Sequence, residues 1–143
     1  SVTTREMIAA DLATDVLLFG WWIHNEDRHL TELDGNPNLL WDVQARQLAV
    51  IDHNLAFDRT FNAHHFLESH VFAGHWNRVF GDQLKRMRYQ ARMGSALLKL
   101  DFIRATIPET WWYVDEGVPV DVTWDEIVGC LERCRRDDFW NSP

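Results

Sequence analysis

The chain has 143 residues, 46% of them apolar, and a formal net charge of −8. This length gives one domain or one lobe of a larger one. The acidic balance lacks the positive excess of a nonspecific nucleic-acid binder, and no apolar run approaches the roughly 18 residues of a membrane span.

The N-terminus is polar and acidic by Glu6 and Asp11, with no secretory signal. Cys130 and Cys134 lie four apart in a helical pattern and read as reduced, partly buried thiols of a cytoplasmic protein.

Taken in order, Thr3 and Glu6 form a capping-box signature. Met7, Ile8, Leu12, Val16 and Phe19 follow at helical spacing, which predicts a helix from about Thr4 to Trp21 or Trp22, buried toward its end. The segment 23–38 reads as loop, with turn dipeptides Asp34-Gly35 and Asn36-Pro37. Asn38 to Trp41 and Gln47 to Ile51 read as two short strands of a hairpin, which must lie against helices to be stable. Asp52 to Thr60 is loop, and Phe61 to Phe80 is helical in pieces.

Asp82 is the predicted N-cap of a helix over Gln83 to Met93, with Gly94-Ser95 kinking or ending it. A further helix is predicted over Ala96 to Thr106, stopped by Pro108. Trp111 to Val122 is expected to be irregular. Thr123 and Glu126 make a second capping box, opening a last helix that reaches about Arg136. The fold class is mainly α with a small β-hairpin.

The informative stretch is Ile23 to Phe57. Phosphoryl transfer needs a carboxylate to orient or deprotonate a hydroxyl, and hard oxygen ligands for magnesium. Asp27 follows a buried helix. Asn36 or Asn38 stands at the entrance of the first strand, and Asp52 at the exit of the antiparallel second. Both hairpin ends return to one place, so Asn38 and Asp52 are expected close in space, with Asp27 beside them.

At these residues the chain resembles HipA-like kinases, within the protein-kinase-like superfamily. Asn25-Glu26-Asp27-Arg28-His29 with Asn36-Pro37-Asn38-Leu39-Leu40 is similar to that family's catalytic loop. Ile51-Asp52-His53-Asn54-Leu55-Ala56-Phe57 is similar to its Asp-x-x-x-Ala-Phe metal motif. The resemblance implies a single C-lobe-like domain over 1–143, with a catalytic loop at 23–38, a metal loop at 51–57 and a helical remainder at 61–143. It implies Asp27 as catalytic base, Asp52 and Asn38 (or else Asn36) as magnesium ligands, and ATP as phosphoryl donor.

Arg28 and His29 are candidate nucleotide contacts, with a structural ion pair for Arg28 and packing for His29 as the alternatives. No strand-rich segment precedes the first helix, and neither Lys85 nor Lys99 lies in a strand pattern, so the N-lobe is expected to be absent. The implied partners are a protein substrate carrying a Ser or Thr hydroxyl, and an N-lobe or antitoxin-like partner chain, with neither nucleic acid nor membrane. Two other readings are a catalytically incomplete lobe serving as a binding module, and a lipid or small-molecule kinase. His65, His70 and His75 recur every five residues, which puts them on no common helix face and argues against a zinc cluster.

Overall fold

The computed structural model describes residues 8–30 and 35–141. The first helix, α1, spans Ala10–Trp22 and is buried around most of its circumference, through Ala13, Val16, Leu17, Leu18, Gly20 and Trp21. It starts later than the sequence pattern predicts. Ala9 has an extended backbone (φ −56°, ψ 137°), so Ile8 and Ala9 stand outside the helix. The Thr3–Glu6 capping box lies outside the described residues.

Strands β1 (Leu39–Asp42) and β2 (Gln47–Val50) form the expected hairpin, in the register Leu39 to Val50 and Asp42 to Gln47. The Asp42 carboxylate accepts from the Gln44 and Ala45 amides, both at 2.9 Å, which closes the turn from its own side chain. Leu39 faces the core.

After the loop that follows β2 come α2 (Ala63–Ser69), a single 3₁₀ turn at Ala73–His75, and α3 (Asn77–Phe80). Helix α4 spans Gln83–Leu97 and is capped by Asp82, whose carboxylate accepts from the Lys85 amide at 3.1 Å. It runs straight through Gly94-Ser95, past the predicted end at Met93. Met93 and Leu97 are both buried, one turn apart, and that anchorage outweighs the roughly 1 kcal/mol that an interior glycine costs. The next helix, α5, is therefore shorter than predicted, at Leu100–Thr106.

The segment expected to be irregular holds a 3₁₀ turn at Glu109–Trp112 and a second antiparallel hairpin, β3 (Tyr113–Asp115) with β4 (Val118–Pro119). Gly117, at φ +72°, makes its turn. Helix α6 (Trp124–Glu132) opens with the predicted capping box of Thr123 and Glu126. Two 3₁₀ turns, Arg133–Arg135 and Asp137–Trp140, complete the described chain. The fold is mainly helical with two small hairpins. Among the described residues, no helix is long and apolar enough to cross a membrane.

Trp21 is the centre of the core. Its ring meets Trp76 edge-on at 4.9 Å and also contacts Phe61, Phe66, Phe80 and Phe139. Its indole nitrogen donates to the Phe139 carbonyl at 3.1 Å.

The C-terminal turns seal the end of α1, whose last carbonyls have no partner within the helix. Arg133 Nη2 donates to the carbonyls of Trp21 (3.1 Å) and Trp22 (2.8 Å). Trp22 returns a bond from its indole to the Leu131 carbonyl at 2.8 Å. Both cysteines are free, Cys134 buried and Cys130 half-buried. Arg133→Met keeps the aliphatic stem but strips both carbonyls of their donor. It is expected to lower unfolding free energy by about 1.5–3 kcal/mol, the range for charged hydrogen bonds, as read from the urea midpoint.

Candidate functional site

The end of α1 feeds directly into the loop bearing Asp27. The two are pressed together at Gly20, where an added Cβ would lie 3.3 Å from the Phe66 ring and 3.5 Å from both the Asn25 carbonyl and His70 Nε2. The turn begins at His24, whose backbone is left-handed (φ +51°) and whose ring stacks on Phe61 at 4.3 Å. Asn25, fully buried, accepts from the Asp27 amide at 2.9 Å and so fixes the backbone of the candidate base. Glu26 turns the other way. Its carboxylate receives the Asn62 amide and meets His65 Nδ1 at 3.1 Å, tying the loop to the start of α2.

Asn38 locks the catalytic loop to the hairpin. Its Nδ2 donates to the Asp27 carboxylate Oδ2 at 2.7 Å and to the Asp27 carbonyl at 2.8 Å. Two oxygen acceptors fix the amide nitrogen on that side, which turns Oδ1 away as the atom that a metal can use. The Asn38 carbonyl in turn accepts from the Ile51 amide at 3.0 Å, so Asn38 and Asp52 sit at the same mouth of the hairpin. Asn36 points inward to the chain, its side chain accepting from the Asn38 amide at 3.1 Å. It shapes the approach to Asn38. Residues 31–34 lie outside the described residues, and the chain returns through Gly35 at φ +144°, where a Cβ would fall 2.5 Å from the His29 carbonyl.

Asp52 is exposed. Among the described residues its carboxylate makes a long contact, 3.5 Å, with the Asn54 amide two residues on. The loop folds back so that the Phe57 amide donates to the Ile23 carbonyl at 2.6 Å. Beyond it, Arg59 grips the Glu126 carboxylate with Nε at 2.7 Å and Nη2 at 2.9 Å, and reaches Asp121 at 3.1 Å. The loop after β2 is thus pinned to the capping box of α6.

Backbone strain gathers here. Of the five non-glycine residues with positive φ among the described residues, four belong to this region: His24, Asn38, Asp52 and Phe57. Left-handed backbone costs an L-residue roughly 1–2 kcal/mol, and residues held so cluster at sites where geometry matters.

Arg28 lies where a cofactor contact was not to be sought. Its side chain is fully buried. Nη2 donates to the Ile51 carbonyl at 3.1 Å, while Nε and Nη1 are enclosed without a hydrogen-bond partner. Burial pulls its pKa below the ordinary arginine value, and the nearby charges of Asp27 and Asp52 oppose that pull. The guanidinium lies beneath both loops, and its burial fits the structural alternative for Arg28.

His29 is half-buried. Its backbone bridges to His70, flanked by Leu30 N to Ser69 O at 3.0 Å and Val71 N to Arg28 O at 2.8 Å. His70 is buried, and its Nδ1 accepts from the Phe72 amide at 3.0 Å. Among the described residues, no three His, Cys, Asp or Glu side chains group to hold a metal by themselves.

The family model for HipA-like kinases matches residues 1–143. The chain belongs to the HipA-like kinase family. Neither the curated proteins nor the solved structures gave a match. Membership gives the chain a kinase-like function in general. The donor set at the hairpin mouth, a carboxylate at Asp52 and a carboxamide oxygen at Asn38, is hard and oxygen-only, which suits magnesium. Sequence reasoning missed Asn25 as the residue that positions Asp27. The Asn-Glu-Asp run was the available signal, since an asparagine side chain commonly accepts from the amide two residues on.

Two histidines of this region are held neutral. Burial and Arg133 push His24 down to about 4, from the ordinary 6.5, and burial lowers His70, with Arg28 adding to it. The unfolded chain then binds protons that the folded chain refuses. Stability is full above about pH 6.5 and declines as pH falls toward 4. The urea midpoint is expected to drop between pH 7 and pH 5. His24→Asn, which tolerates the left-handed backbone, is expected to show a shallower drop. A flat wild-type profile would contradict the burial argument.

Proposed function

We propose that the protein transfers the γ-phosphoryl group of ATP, with magnesium, to a Ser or Thr hydroxyl of a protein substrate. The observation that carries this reading is the Asn38 side chain, bonded to the Asp27 carboxylate at 2.7 Å from the mouth of the hairpin that leads to Asp52. It couples a candidate base to a candidate metal ligand at a fixed separation. Phosphoryl transfer demands little else of a protein than such positioning and charge neutralisation.

In this reading Asp27 accepts the hydrogen bond of the substrate hydroxyl and takes its proton as the new phosphate ester bond forms and the bond from the γ-phosphorus to the leaving ADP oxygen breaks. Asn38 Oδ1 and the Asp52 carboxylate would hold magnesium, which would supply positive charge to offset that of the phosphates. Asn25 and Asn38 orient Asp27 from its backbone and its carboxylate. Arg28, below, offsets the repulsion between Asp27 and Asp52. The family resemblance is what favours a protein hydroxyl over a lipid or small molecule in this reading.

The test is magnesium-ATP binding and autophosphorylation by the full gene product. Asp27→Ala is expected to lower phosphoryl transfer by about 10²- to 10⁴-fold, the usual contribution of a general base, while leaving nucleotide binding near wild type. Asp52→Ala is expected to weaken magnesium-dependent nucleotide binding itself. Unchanged turnover in both variants would sink the assignment.

A further inference from the structure

We infer that the cleft between α5, the 3₁₀ turn at Glu109–Trp112 and the start of α6 receives an arginine side chain presented by a partner protein. The cleft shares no lining residue with the phosphoryl-transfer site, and the inference does not depend on that site's activity.

Local geometry gathers the residues. Asp101 and Arg104 are three apart on α5 and so lie on one face of it. Glu109 and Trp112 are three apart in a 3₁₀ turn, where side chains at that spacing eclipse. Trp124 is the first residue of α6. With Ile107 they line a cleft of about 630 Å³, a volume within the roughly 300–1,000 Å³ of ligand clefts.

Two tryptophans at right angles give the cleft its aromatic wall. The rings of Trp112 and Trp124 have centroids 6.2 Å apart and planes at 89°. Both residues are half-buried, so each leaves part of its ring in the wall. The face of an indole attracts cations, guanidinium groups most often. The protein supplies its own example, since the Arg104 guanidinium lies 5.7 Å from the Trp124 ring centre.

The acidic wall is unmatched. Arg104 could pair with Asp101 one turn back on α5, yet it lies on the indole. Among the described residues, Asp101, Arg104 and Glu109 make no ion pair. Two exposed carboxylates therefore stand beside the tryptophan pair without a cation to neutralise them. The positive end of α6 does not fill that role, because Asp125 and Glu126 in its first turn offset it.

A guanidinium satisfies both walls. Its flat face stacks on an indole while its N–H edge donates to carboxylates, and an ammonium has no such face. A nucleobase would also stack on the rings, but its phosphates would meet two carboxylates on a chain of net charge −8. Free arginine would bring its own carboxylate to the same place. An arginine within a peptide carries neither penalty, and arginine and tryptophan are the residues that most often dominate protein interfaces.

The test titrates the ¹⁵N-labelled full gene product with N-acetyl-arginine amide and follows the indole N–H resonances. Loss of one peak in each of Trp112→Phe and Trp124→Phe assigns the pair. Both peaks are expected to move saturably, while those of Trp21 and Trp76 in the core stay fixed. N-acetyl-citrulline amide, of the same shape but uncharged, is expected to bind at least about fivefold more weakly, the upper range of an exposed ion pair. Asp101→Asn/Glu109→Gln is expected to raise the Kd for the arginine amide by a similar factor of about five. Both side chains are exposed, so the variant keeps the fold. Absence of saturable movement, equal affinity for the citrulline probe, or an unchanged Kd in the double variant would each overturn the inference. Tighter binding of free arginine or of AMP than of the arginine amide would overturn it as well, in favour of a small-molecule or nucleotide site.

Discussion

A guanidinium sealed beneath two loops is the constraint from which the rest of this site follows. A buried charge is tolerated only where opposite charge and hydrogen-bond acceptors stand near it. Arg28 has one carbonyl partner, from Ile51 at the end of the hairpin, and two carboxylates close enough to stabilise its charge, Asp27 and Asp52. Those carboxylates stand on different segments. Bringing them to one guanidinium therefore requires the loop after α1, the hairpin mouth and the loop after β2 to meet. Asn38 then sets the distance between them with a direct bond, and the left-handed residues at 24, 38, 52 and 57 are the local cost of those turns.

The scaffold meets this demand from behind. Helix α1 delivers the catalytic loop, and its end must not fray. Trp21 is locked among five aromatic rings, and Arg133 occupies the last carbonyls of the helix. Arg59 performs the matching task on the far side, holding the loop after β2 to α6. The most distant parts of the sequence thus act on the same few residues.

Much of this was legible in the chain. The hairpin, its mouth, the Asp82 cap and the Thr123–Glu126 box are short-range patterns, and they appear where the residues place them. Three features were not legible, for physical reasons. The second hairpin has every strand residue exposed, so no apolar alternation marks it. Helix α4 passes through Gly94 because of burial at Met93 and Leu97, which is a property of packing and not of the local sequence. Arginine is among the residues least often buried, so the sequence leaves Arg28 open between a nucleotide contact and a structural role, and its enclosure shows only in the fold. The convergence of Asp27, Asn38 and Asp52 was inferable from antiparallel geometry, whereas the Asn25 support needed the fold to show it.

The aromatic core also gives the protein an optical signature. Trp21 and Trp76 are held with ring centroids 4.9 Å apart and planes at 79°, near enough for their electronic transitions to couple. Such a pair imprints a feature on the far-ultraviolet circular dichroism that depends on its mutual orientation. Trp21 stands three residues before His24, where the turn begins, so a shift of the end of α1 against Trp76 changes the light the protein absorbs, without a label.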